Sequence, residues 1–144
     1  MRYWLVPRDP PRLLTAILRA FEGPDAAVSL EGELAAYALW ALEHTTAKPS
    51  AVLARQTESP ILDFLIAPLS AHNGRMIARA VARPPGLGAE SPIVHVQVAV
   101  GHTLVFGAYD NFHADAVFVA GPSEDALKEL KRSGVIWSYH GATE

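Results

Sequence analysis

IVHVQVAVGHTLVFGAYDNFHADAVFVA, residues 93–120, decides the fold, because two short turn signals inside it fix a strand register. Gly101-His102 and Asp110-Asn111 each separate β-rich runs by two residues, the spacing at which primed turns match the twist of the strands they join. With two-residue loops, Val100 faces Thr103, Tyr109 faces Phe112, and every other pairing follows by counting. One face then carries Val94, Val96, Val98, Val100, Val105, Tyr109, Phe112, Ala114, Ala116 and Phe118, and reads as core. The other carries His95, Ala108 and His113 in one row across three strands, with Gln97, Phe106 and Asp115 in the next. Leu104, Phe106, Val117 and Val119 on that second face ask to be covered. It reads either as a partly polar pocket or as a structural patch on a solvated sheet face.

The pocket reading has chemical content. Adjacent strands lie about 4.8 Å apart, which sets His95 and His113 about 10 Å apart at the backbone, with the small Ala108 between them leaving room for a ligand. His113 and Asp115, two residues apart on one strand, point the same way, an arrangement that orients an imidazole and suits a general base. His113 and Asp115 are therefore the candidate catalytic pair, and His95, Gln97, Phe106, Ala108 and Asp110 the candidate ligand contacts. Asp110-Asn111 is also what a tight turn needs, since both residues tolerate a left-handed backbone. His102 belongs to its turn and is expected in solvent. No HxH or HxxxH spacing is present, so no metal site is assigned.

Working outward, 144 residues are enough for one domain with a single core, and residues 1–144 read as such. Half the residues are apolar, 19% are charged and the formal net charge is −3, the balance of an ordinary globular chain, with no sequence-wide surface for nucleic acid or an anionic membrane. The absence of cysteine excludes disulfides, thiolate zinc sites, iron–sulfur ligation and cysteine nucleophiles. The longest apolar run, Leu34 to Leu42, falls well short of the roughly 20 residues that cross a bilayer. The start of the chain lacks a signal-peptide core, and the expected location is the cytoplasm.

Arg2 to Val6 reads as a strand stopped by Pro7. Asp9 caps a helix that carries Pro10 in its first turn, repeats Leu14, Ile17, Leu18 and Phe21 at helical spacing, and ends at Gly23-Pro24. Ala27 to Leu30 reads either as a brief strand or, from Ser29, as an early start of the next helix. Glu33 to His44 has helical patterning with apolar residues nearly all round, which predicts a helix buried on most sides or packed on another subunit. Ala51 to Arg55 and Ile61 to Ala67 read as two strands of a hairpin. Ser70 caps a helix running through Ala82, Arg83 to Pro92 is a loop, and Ser123 opens a helix closed by Gly134 before a last strand, Val135 to Tyr139. The expectation is a single α+β domain: a mainly antiparallel sheet of about six strands built on the 93–120 meander, then a helix and a final strand, with helices mainly on one face. Trp4, Trp40 and Trp137, with Tyr3, Tyr37 and Tyr139, read as core or interface aromatics.

Pro68-Leu69-Ser70-Ala71-His72-Asn73-Gly74-Arg75 follows an apolar strand and opens a helix, which places Asn73, Gly74 and Arg75 as candidate anion contacts. Over about a dozen residues around this stretch the chain resembles the phosphate-binding turn of the GNAT acyltransferases, and the resemblance implies an acyl-CoA-dependent N-acyltransferase-like protein. The basic-glycine-x-glycine core of that turn is missing here, and in that family three consecutive strands precede the turn. No P-loop, dinucleotide fingerprint, nucleophile elbow or H-E-x-x-H helix is present, so no cofactor is named. The sequence thus points first to a non-enzymatic domain that binds a small molecule or a protein through its polar sheet face. A small hydrolase or transferase using His113 and Asp115 stands second. Two-fold association through an edge strand or the Leu34–Leu42 segment makes a homodimer the expected assembly.

Overall fold

Residues 1–141 are described by the structure, a computed structural model. The elements run β1 (Arg2–Pro7), α1 (Pro10–Phe21), β2 (Ala26–Gly32), β3 (Asp63–Pro68), α2 (Ala71–Val81), β4 (Ile93–Val100), β5 (Thr103–Ala108), β6 (Val117–Ala120), α3 (Glu124–Arg132) and β7 (Ile136–Gly141), with a short 3-10 turn at Leu34–Ala36. The strands form one sheet in the order β3-β2-β4-β5-β6-β1-β7, every neighbouring pair antiparallel. The fold is α+β, one strand larger than expected.

The helices start where their caps dictate. The Asp9 carboxylate accepts the Arg12 N–H at 3.2 Å, and Pro10 occupies the first turn, where a missing N–H leaves nothing unsatisfied. Leu13, Leu14, Ile17 and Leu18 are buried, each worth about 1.5–3 kcal/mol of apolar burial, which holds a helix of 12 residues that would be marginal alone. Ser70 caps α2 by accepting the Asn73 N–H at 3.1 Å, and Ser123 caps α3 through the Ala126 N–H at 3.2 Å. Side chains from all three helices join one cluster with alternate strand residues, among them Leu5, Val28, Leu30, Val96, Val98, Phe106, Val117 and Val119.

The meander departs from its expected register in two places. Val100 pairs with Thr103 across Gly101-His102 as expected, but a bulge follows, so that Val98 opposes Phe106 and Val96 opposes Ala108. The extra residue shifts β5 by one, and a one-residue slip exchanges the two faces of a strand. Phe106 and Ala108 therefore lie in the helix-packed cluster, and not beside His95. The second reversal is no two-residue hairpin. Tyr109 and Ala116 are joined by a backbone hydrogen bond of 3.0 Å, and Asp110, Asn111 and Phe112 all have positive φ, so residues 109–116 form a wider loop. That change moves Val117 and Val119 into the core and turns Phe118 to the opposite face, where it packs edge-on against Trp4 with ring centroids 5.9 Å apart.

Two further expectations fail outside the meander. Glu33 to His44 is not a helix beyond its 3-10 turn; a segment apolar on every side has no single stripe to dock, and its side chains anchor separately. Ala51 to Arg55 is irregular, and β3 pairs instead with β2, in register from Ala27↔Pro68 to Gly32↔Asp63.

Candidate functional site

The second sheet face, opposite the helices, holds the polar residues that the sequence singled out. On it Glu31, Ser29, His95 and Gln97 are all buried, and Glu31 stands directly across from His95. The irregular segment 46–62 lies over them. It is tied to β3 by hydrogen bonds exchanged between Thr46 and Ile66, and its Leu53 packs with Phe64, Ile66 and Ala99. Glu31 accepts the backbone N–H groups of Gln56 at 2.8 Å and Thr57 at 3.2 Å. His95 Nδ1 accepts the Asp110 N–H at 3.1 Å, which assigns the ring proton to Nε2 and makes Nε2–H the donor to Thr57 Oγ1 at 2.7 Å. Ser29 donates to Gln97, and the Gln97 amide donates to the Tyr109 hydroxyl at 3.1 Å. Tyr109 reaches that amide across Gly107, where any Cβ would come within 2.8 Å of the phenol ring and its oxygen.

Every nitrogen of His95 is thus committed within the protein, and no buried side-chain nitrogen or oxygen among the described residues lacks a partner. The network fastens one segment over the sheet.

The candidate pair lies elsewhere. His113 and Asp115 sit on the 109–116 loop with side chains 62% and 92% exposed and His113 Nδ1 4.0 Å from Asp115 Oδ2. His113 Nδ1 accepts the Asp115 N–H at 3.2 Å, an arrangement that shapes the loop. The expected row of His95, Ala108 and His113 is not formed, because the bulge and the wider loop send the three residues to three environments: under segment 46–62, into the helix-packed core, and into solvent. Asp110 reaches His95 through its backbone alone, and its side chain is exposed. His102 is exposed, as expected of a turn residue.

Around α2 the expected anion contacts divide. The Asn73 and Gly74 N–H groups are consumed by the Ser70 hydroxyl and carbonyl at the helix start. The buried Asn73 amide is taken up too: it accepts the Glu43 N–H at 2.9 Å and donates to the carbonyls of Glu43 and Pro68. Arg75 is exposed and lines a cleft of about 520 Å³ between α1 and α2.

What the sequence did not reveal is the role of residues 37–43. Tyr37 is buried, its hydroxyl donating to the Gly86 carbonyl at 2.6 Å, while His72 Nε2 bonds the Ala41 carbonyl at 2.9 Å and Asn73 holds Glu43 at both backbone groups. Between these anchors Trp40 stands 88% exposed. Trp40, Ala38, Met76, Ala80, Arg79 and Arg83 line a groove of about 410 Å³ along the outer side of α2. The available signal was the all-round apolar pattern of Leu34 to Leu42, which cannot be buried on every side at the surface of so small a domain.

Among the described residues no three His, Asp or Glu side chains gather as a metal site, and no helix is long and apolar enough to cross a membrane. Compared with family models, curated proteins and solved structures, the chain matches none.

Proposed function

We propose that this protein is a non-enzymatic binding domain that recognises an acidic segment of a partner protein, seating an apolar side chain of that segment beside Trp40. The observation that carries the reading is the 88% exposure of a tryptophan whose loop is fixed on both sides by half-buried hydrogen bonds. A large aromatic held rigidly in water binds with little loss of freedom, and Trp and Arg are the residues that dominate protein interfaces. Arg79 and Arg83 border the groove, and neither has a carboxylate partner within 4.0 Å among the described residues. Their charge selects an acidic occupant. It also disfavours a two-fold copy of this chain on the same surface, because an isologous contact would oppose the same arginines. A concave groove suits a protruding side chain better than a flat bilayer.

The expected homodimer loses its Leu34–Leu42 helix, leaving the edge strands β3 and β7 as its only remaining support. The hydrolase or transferase alternative rests on His113 and Asp115, which nothing encloses. In the binding reading the protein is expected to work in the cytoplasm.

The test is a synthetic peptide of about twelve residues carrying glutamates around one phenylalanine, compared with its lysine counterpart by titration against the 15N-labelled protein. The acidic peptide should bind selectively, shifting resonances of residues 36–41 and 76–83, and Trp40→Ala should weaken it at least about tenfold. Equal binding of both peptides, or affinity unchanged by Trp40→Ala, overturns the proposal. So does a concentration-dependent dimer in sedimentation equilibrium that Trp40→Ala abolishes, since the groove would then belong to a second copy.

A further inference from the structure

We infer that the cleft between α1 and α2 is a second, separate site, built for a small ligand carrying at least two negative charges on phosphate or carboxylate groups. Arg19 of α1 and Arg75 and Arg79 of α2 line it, all exposed and none within 4.0 Å of a carboxylate among the described residues. Arg75 and Arg79 stand one turn apart on a helix, where like charges repel each other, and Arg19 adds a third cation from across the cleft. In a chain of net charge −3, acids to offset them are plentiful, yet the cleft contains just one, Glu22.

The floor between the helices is made of small residues, Ala71, Gly74 and Ala78, so a ligand can settle between the guanidinium groups. At about 520 Å³ the cleft is of ordinary size for a small metabolite. Recognition has to come from side chains, because the N–H groups at the start of α2 are already used by Ser70. Arginine suits that role, since its planar donors match phosphate and carboxylate oxygens in pairs. Glu22 opposes a bare polyanion and favours a ligand that offers a hydroxyl or amino donor beside its charges.

The site shares Arg79 with the Trp40 groove, but Arg19, Arg75 and Glu22 do not line that groove, so the two proposals fail separately. The experiment titrates the 15N-labelled protein with pyrophosphate and, in a second arm, with citrate, at physiological ionic strength. Expected are saturable shifts confined to residues 15–22 and 71–79, a loss of affinity of about tenfold or more in the exposed double variant Arg19→Ala/Arg75→Ala, and a gain in Glu22→Gln. Trp40→Ala should leave this binding intact. Preference for pyrophosphate or citrate assigns phosphate or carboxylate as the natural group. Two results overturn the inference: no saturation in either arm, or equal shifts at the second basic cleft, lined by Lys128, Lys131 and Arg132, which would mark unspecific attraction of anions to positive charge.

Discussion

The two faces of the sheet are closed by different physics. On one, three amphipathic helices bury leucine, isoleucine, valine and phenylalanine, and the closure is non-directional. On the other, the half formed by β2, β3 and β4 is closed by an irregular segment that adds to a small apolar contact of Leu53 with Phe64, Ile66 and Ala99 the directional hydrogen bonds of Glu31 and His95. The half formed by β6 and β1 is closed by rings: Phe118 lies against Trp4 with the Arg2 guanidinium 4.1 Å above it. The first face should therefore set global stability, and the second should open locally. His95 and Gln97, polar and buried, are hydrogen-bonded within the fold, where the sequence alone suggested ligand contacts.

The largest expected effect tests the first half of that contrast. Phe106 is fully buried in the helix-packed cluster, and Phe106→Ala should cost about 3–5 kcal/mol in denaturant unfolding. A cost no greater than that of the polar substitutions would break the distinction between the faces. Next, Glu31→Ala strands two backbone donors and should cost roughly 1–3 kcal/mol. Its signature is local: amide exchange should speed up across residues 46–62 while α1 and α2 keep their protection, and a uniform increase would show that the segment is no separable unit. Thr57→Val removes only the hydroxyl that His95 meets, for about 1 kcal/mol, with the same regional signature.

The smallest effect lies outside both faces, on α3, and serves as a baseline. Hydrogen bonds from Arg132 hold the Glu129 carboxyl below its ordinary range. A carboxyl depressed by folding contributes stability at pH values above its unfolded value of about 4.3, and the contribution is lost as pH falls through the lower folded value. Arg132→Ala should therefore lower stability slightly at neutral pH, the difference from wild type should close as pH falls through the acid range, and it should fade in high salt because the pair is exposed.

Capping chemistry made the helices legible: Asp9, Ser70 and Ser123 each cap the helix that the sequence assigned to them, because a cap is a local rule read over four residues. Gly101-His102 was equally local and set the Val100↔Thr103 pair as expected. The candidate row was not legible, since it required counting across β5, and the bulge that alters the count carries no residue signature. Asp110-Asn111 does supply left-handed backbone, but Phe112 continues it, which no turn preference anticipates. Trp40 and the α1–α2 cleft depend on how distant segments meet, through Asn73 to Glu43 and through α1 against α2, and no spacing in one segment encodes that meeting.

The position of β1 between β6 and β7 has a consequence for synthesis. A ribosome releases residues 2–7 long before either of their ladder partners, a delay on the order of ten seconds at about 5–20 residues per second. Throughout that interval the nascent chain trails Tyr3, Trp4 and Leu5 with no sheet to join, a ribbon that chaperones are able to hold. Completion of the sheet is thus an event that waits on the emergence of β7.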